Sequence, residues 1–245
     1  MIEWFEFNRL LGVTEFNIYD ANLQIDDAMK AVFKYYKHQR ILRYVSHPTP
    51  FPNVPESHCL LFFTSLGDCL YRNMYRYKYI IAIDFDEIIV PVKMRSYKEL
   101  LQHYENSTHH NPLKLSLQFD SHGYYKDQIP DLTQPRRLPS MQYRRHSFDQ
   151  LRPKLIHNPR LCHYMVQHFC YPKKSKPVNR RSVASVHHYK SYCLEPHTGT
   201  DPGPAVRKQC RKQQNATSVD EAVLMFKDEL LQRVDLVYSQ LGMSN

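Results

Sequence analysis

Residues 79–91 read YIIAIDFDEIIVP and set three carboxylates, Asp84, Asp86 and Glu87, inside an otherwise apolar run. A carboxylate is costly to remove from water, and three within four residues repel one another. The spacing therefore asks for raised pKa values, a bound cation, or both. Side chains on a strand alternate between faces, which puts Asp84 and Asp86 on one side, a strand step apart. Two oxygen donors so placed can hold one divalent cation. Solvated acids at a polar strand end are the plainer alternative, but the apolar residues on both sides make these acids internal.

Three other groups have chemical potential. His187-His188-Tyr189-Lys190 closes a strand pattern, and one imidazole beside the acidic strand would complete an Asp₂His set suited to manganese or zinc. His168, in MVQHFC, is a second candidate, whereas His157 and His163 read as packing residues. Tyr19-Asp20-Ala21-Asn22 is a strand-end turn whose carboxylate and amide suit a ribose or base edge. Helix capping by Asp20 or Asn22 is the structural alternative there. No G-x-S-x-G, H-E-x-x-H, G-x-G-x-x-G or P-loop pattern occurs, and glycine is scarce, at 6 of 245 residues. Nucleotide phosphates would then need another partner, and a cation on the acids is one. DFDEI also resembles the D-x-D-x-[TV] opening of haloacid-dehalogenase-like phosphatases, where the first Asp is a nucleophile and the second a general acid. Against this, Ile88 replaces Thr or Val, the motif follows two strand–helix units, and Gly67-Asp68 precedes it.

The elements that position these residues alternate. A helix with Ile2, Trp4, Phe5, Leu10 and Leu11 stops at Gly12. Then come a strand at 15–20, a helix at 23–37, a strand at 41–46, a Pro-rich loop, a helix at 57–77 and the acidic strand. Such alternation predicts an α/β fold with a mostly parallel sheet flanked by helices and ligands at the carboxyl ends of its strands. Ser96-Tyr97-Lys98-Glu99 is a capping box opening a helix to about Glu105, and a strand over 113–120 ends at Asp120. Five prolines punctuate 121–160, which reads as loops with short strands such as MQYRRHSF. Residues 163–171 and 181–190 read as strands and 194–217 as irregular. Ser218-Val219-Asp220-Glu221 is a second capping box opening a helix to Leu241. With no repeat and no linker, one domain over 1–245 is expected.

The net charge of +9 and pI near 9.2 favour anionic partners, yet no nucleic-acid module accompanies the scattered basic pairs, which read as solvated. Six cysteines permit three disulfides, and the sequons at Asn106 and Asn215 add to the case for a secretory lumen. No run of 18 apolar residues and no signal peptide is present in the sequence.

The order of motifs resembles glycosyltransferase family 92. The pieces are E-W-x-x-x-x-R-L-L-G-V-x-x-F-x-I-Y-D-x-N over Glu3–Asn22, Asp68-Cys69-Leu70, the D-x-D-E strand over Ile80–Pro91, Val166-Gln167-His168 and His188-Tyr189-Lys190. The family is similar to GT-A transferases. The resemblance implies a nucleotide-sugar-binding half (1–92), an acceptor-binding half (93–193), an irregular segment (194–217) and a C-terminal helix (218–241). It implies a UDP-sugar donor, UDP-galactose, and metal-dependent transfer of the hexose with inversion to a glycan acceptor. Mn²⁺ would sit on Asp84 and Asp86 with His188, and the donor would be held by Asp20, Asn22, Asp84 and Asp86. Glu87 and Asp120 are the catalytic candidates, with Asp127 and Asp149 as further candidates for the base. The family works on the lumenal face of the Golgi behind an N-terminal membrane anchor. A first strand ending near an Asn-Glu is also expected and does not occur before Glu3-Trp4. A non-catalytic glycan- or protein-binding relative is the alternative.

Overall fold

The structure, a computed structural model, describes residues 1–20, 25–47, 57–107, 116–126, 128–172, 175–178, 182–190 and 217–243. At 57–59, 107, 147–151, 175–178 and 217 only the backbone is described. Asn22, Asp127, Cys193, Cys210, Asn215 and nearly all of the 194–217 segment lie outside the described residues, as do the side chains of Asp149 and Cys59.

Helix α1 (Ile2–Leu10) ends where expected. Gly12 takes φ +103°, and the Gly12 and Val13 amides donate back to Arg9 and Asn8 carbonyls at 3.0 and 2.9 Å. Only glycine adopts that backbone without strain, so the helix stops there. Strand β1 (Phe16–Asp20), helix α2 (Asp27–His38) and strand β2 (Leu42–Ser46) form a crossover unit, with β1 and β2 parallel. The cap of α2 is Asp26, whose carboxylate accepts from the Met29 amide at 2.7 Å. Helix α3 (Ser57–Asn73) leads to the two-residue strand β3 (Ile80–Ile81), and β4 (Glu87–Pro91) follows. Helix α4 (Tyr97–Ser107) opens on the predicted capping box: the Glu99 amide donates to Ser96 Oγ at 3.2 Å, and Glu99 Oε2 accepts from the Arg95 amide at 2.9 Å.

The rest of the chain is mainly strand: β5 (Ser116–Tyr125), the single turn α5 (Pro139–Gln142), β6 (Arg145–His157), the hairpin β7 (Tyr164–Val166) and β8 (Phe169–Tyr171), β9 (Ser175–Val178), β10 (Ala184–Lys190) and β11 (Thr217–Val219). A 3-10 turn (Ala222–Phe226) and α6 (Lys227–Gln240) follow. Seven strands make one sheet in the order β11-β6-β5-β10-β4, with β3 also on β6 and β9 also on β5.

This is a mixed helix–strand fold, but the sheet is not mostly parallel. Its β5–β6, β3–β6, β11–β6 and β10–β4 pairings are antiparallel, and only β10–β5 and β5–β9 are parallel. The reason lies in the connections. Parallel neighbours need a crossover, usually a helix, and after α4 no helix longer than one turn separates strands among the described residues. Residues 121–160, read as proline-punctuated loops, carry instead the end of β5 and the thirteen-residue β6. The prolines fall at chain turns, except Pro153, which lies within β6 itself. The second capping box also fails. Ser218 pairs with His146 in the sheet, and Asp220 Oδ1 instead accepts from the Ala222 amide at 2.9 Å, so a helix begins later.

One core joins Phe5 and Phe7 of α1, Leu11 just past its end, Ile89 of β4, Phe119 of β5, Val186 of β10 and Val234 of α6, all fully or almost fully buried. The apolar side of α1 is thereby fixed at the centre of the molecule, beside β4. A cavity of about 510 Å³ lies between β1 and β3, lined by Glu15–Ile18 on one side and Tyr79–Ile81 on the other. Among the described residues neither strand has a partner on that edge. The Oδ1 atoms of Asn8, Asn17 and Asn73, all residues of its lining, are buried without a hydrogen-bond partner.

Glu3, in the first turn of α1, accepts from the Ser140 amide and hydroxyl at 3.1 and 2.5 Å. Burial pushes its carboxyl up to about 7, and the Ser140 bonds only partly offset this. The folded state therefore holds a proton that the unfolded chain releases near 4.5. The stability that proton carries is present below about 4.5 and is lost as pH rises to about 7. Glu3→Gln, which keeps an acceptor for Ser140, is expected to remove this slope and to gain up to roughly 3 kcal/mol over the parent at pH 8. Denaturant melts of both proteins at pH 5 and pH 8 check it, and parallel curves at the two pH values would count against it.

Candidate active site

The acids sit on a tight turn, not within one continuous strand. β3 ends at Ile81, Phe85 and Asp86 form the turn, and the Glu87 amide donates to the Asp84 carbonyl at 3.1 Å as β4 begins. The sequence explains why the turn is fixed. The Phe85 ring lies 4.7 Å from the Trp4 ring and 6.0 Å from that of Phe5, so the residue between the two aspartates rests against the edge of the aromatic cluster while staying partly exposed. Trp4 Nε1 donates to the Glu87 carbonyl at 2.9 Å. Trp4 of helix α1 thus holds the acidic motif at two points, the Phe85 ring and the Glu87 carbonyl.

All three turn residues reach solvent: the side chains of Asp84 and Asp86 are 50% and 46% exposed and Phe85 is 41% exposed, while Glu87 is buried. These groups form a chain of alternating partners. Asp84 Oδ2 accepts from Gln167 Nε2 and from Lys154 Nζ, the latter at 3.0 Å. Lys154 Nζ lies 2.6 Å from Glu87 Oε2, and Glu87 Oε1 lies 3.2 Å from His188 Nδ1. His188 Nε2 then lies 3.1 Å from Asp86 Oδ2. Strand pairing sets the last steps, because His188 of β10 is directly opposite Glu87 of β4.

The titration of these acids follows from their surroundings. Burial pushes the Asp86 carboxyl up, but the hydrogen bond and charge of His188 outweigh it and hold it below the usual range. Burial also dominates at Glu87, where the Lys154 ammonium only partly compensates, and its carboxyl lies above the usual range.

As donor types, Asp84, Asp86 and His188 fit a hard or borderline divalent cation. Among the described residues their ligating atoms do not converge within one coordination sphere, since Lys154 holds Asp84 and His188 is bonded to Asp86. Glu87 would serve the imaginable metal ligand His188 from behind, through Nδ1, the usual way a carboxylate orients a ligating imidazole.

The other predicted residues are placed as follows. Asp20 closes β1 and accepts from the Tyr44 hydroxyl of β2. Its neighbour Tyr19 lines a cavity of about 110 Å³ together with Asp84 and Gln167, so the carboxyl ends of β1 and β3 share a cleft. Asp68, in the D-C-L motif, ties α3 to that strand end by accepting from the Tyr19 hydroxyl at 2.7 Å and from Arg72 Nε at 2.6 Å. Asp120 is half-buried at a bulge in β5, and its side chain has no hydrogen bond or ion pair with a described residue. His168 Nδ1 lies 2.8 Å from the Pro153 carbonyl, and burial leads the effects that lower its pKa. His157 is fully buried, as a packing residue would be, and burial pushes it down to about 4.

Sequence reasoning missed Lys154 and Gln167. Lys154 sits in the run RPKLIH, in a stretch read as loops with short strands, and nothing there singles it out. Gln167 lies at the turn of the β7–β8 hairpin, inside what reads as one strand over 163–171.

Comparison with known proteins gives the family. Over 93 residues, 38% of this chain and 21% of the other, the chain is 33% identical to the β-1,4-galactosyltransferase galt-1 of Caenorhabditis elegans, so it spans well under two thirds of that protein. The sequence profile of glycosyltransferase family 92 matches residues 1–233, and the chain therefore belongs to glycosyltransferase family 92.

Proposed function

We propose that the chain transfers galactose from UDP-galactose to a glycan acceptor with inversion, using Mn²⁺. The observation that carries this reading is the turn at 84–86, where two half-exposed aspartates flank a phenylalanine whose ring packs on Trp4. Mn²⁺ bound there by Asp84, Asp86 and His188 would neutralise the departing diphosphate as a Lewis acid. Glu87, though a catalytic candidate by sequence, is buried and engaged by Lys154 and His188, and this supports a positioning role. A base for the acceptor hydroxyl must be reachable and able to accept a proton. Asp120, half-buried and without a partner among the described residues, fits that requirement best. Asp20, at the mouth of the β1 end, and Asn22 would take the uridine. We place the protein at the lumenal face of the Golgi behind a membrane anchor. The Cys162–Cys170 disulfide supports an oxidising compartment, although no helix among the described residues is long and apolar enough to cross a membrane.

A second reading, a non-catalytic binder using the same pocket, draws on the Lys154–Asp84 pair, which places an internal cation on one of the two aspartates. The test is UDP release and sugar transfer to a panel of glycan acceptors with Mn²⁺ and with EDTA. Mn²⁺-dependent transfer supports the transferase. Thermal stabilisation by UDP with no transfer to any acceptor supports the binder.

A further inference from the structure

A second group of ligating side chains lies behind the site, where the β7–β8 hairpin is fastened by the Cys162–Cys170 disulfide. One ligand atom from each of His157, Cys162 and Cys170 lies within 4.8 Å of the others, and all three residues are buried. His157 is 0% exposed, and its Nδ1 lies 3.2 Å from Ser116 Oγ. Its Nε2 is buried with no hydrogen-bond partner. Leaving such an atom unpaired costs about 1–3 kcal/mol, so its position calls for an explanation.

We propose that His157, Cys162 and Cys170 form a zinc site that becomes available when the Cys162–Cys170 disulfide is reduced. The electron and proton balance is simple. A dithiol reductant breaks the S–S bond and leaves as its own disulfide, with two thiols left on the protein. Each thiol then gives its proton to solvent as it binds the metal. Two thiolates and a neutral imidazole on Zn²⁺ carry no net charge, which suits the apolar surroundings of Leu70, Ile80, Ala82 and Met165. Tetrahedral zinc needs Zn–S near 2.3 Å and therefore sulfurs about 3.8 Å apart. Cα atoms 5.5 Å apart allow that through side-chain rotation alone. Ser116 supplies the partner that fixes the ring through its other nitrogen, and a water takes the fourth position. Disulfide and zinc exclude one another, and either one fastens the hairpin whose turn presents Gln167 to Asp84.

The experiment uses the full chain, reduced with dithiothreitol and freed of it under nitrogen. Iodoacetamide labelling is followed at each cysteine by mass spectrometry with and without one equivalent of Zn²⁺, and Co²⁺ is titrated in parallel. Zn²⁺ is expected to slow labelling of Cys162 and Cys170 at least tenfold and to leave Cys69 unchanged. Co²⁺ is expected to give a thiolate-to-cobalt absorption band at one ion per chain. His157→Ala, and His157→Gln as a variant that fills the space without a ring nitrogen, should each weaken protection and band tenfold or more. Absence of protection and band, or both at parental strength in the two variants, overturns the proposal.

Discussion

Asp86→Ala is expected to lower UDP-galactose turnover about 10²–10³-fold, the range seen when one preorganised group facing transition-state charge is removed. Its side chain is 46% exposed, and its one bond to another side chain goes to His188. The backbone bond that ties the turn to β10, from the Tyr189 amide to the Asp86 carbonyl at 2.7 Å, survives the substitution. Stability should therefore change by no more than about 0.5 kcal/mol, as for an exposed position. Initial rates and melting temperatures measured on the same preparation separate the two effects. A loss of turnover that merely tracks a loss of folded protein would contradict the role assigned to Asp86.

Lys154→Met has the largest expected effect on stability. Lys154 and Glu87 are 2% and 1% exposed, and their charged atoms are 2.6 Å apart. Removing one member of a buried pair costs about 3–5 kcal/mol, because the other is left as an uncompensated charge. The pH dependence identifies the cause. Glu87 already titrates above its unfolded value because of burial, and loss of the ammonium raises it further. In the window between those two values the folded protein holds the extra proton, so the stability it carries is lost as pH rises. The penalty of Lys154→Met should be smallest near the unfolded carboxyl pKa and grow toward pH 8. Denaturant melts across that range check it, and a penalty independent of pH would point to lost packing.

Much of the site was legible because it depends on local sequence. The D-x-D spacing located both half-exposed aspartates, and the motif order pointed to His188, which lies opposite Glu87 through the β10–β4 pairing. The Gly12 stop and the Ser96–Glu99 capping box also act within a few residues. What escaped is set by long-range contacts. Nothing near Lys154 tells that its ammonium reaches two acids 67 and 70 residues earlier in the chain. Phe85 reads as part of a buried strand, and the rings of Trp4, Phe5 and Phe33, brought together by the fold, instead hold it partly exposed at a turn. The strand directions failed for the same kind of reason. Among the described residues, the helices long enough to serve as crossovers end with α4, and most later strand pairings are antiparallel.

Calorimetric titration of Mn²⁺ with UDP tests most directly whether Asp84 and Asp86 hold a cation against a sugar nucleotide's diphosphate. The parent chain is expected to bind UDP with one Mn²⁺, with affinity falling at least tenfold in EDTA and again in Asp84→Ala and Asp86→Ala. UDP binding of equal strength with EDTA and in both variants would contradict the account.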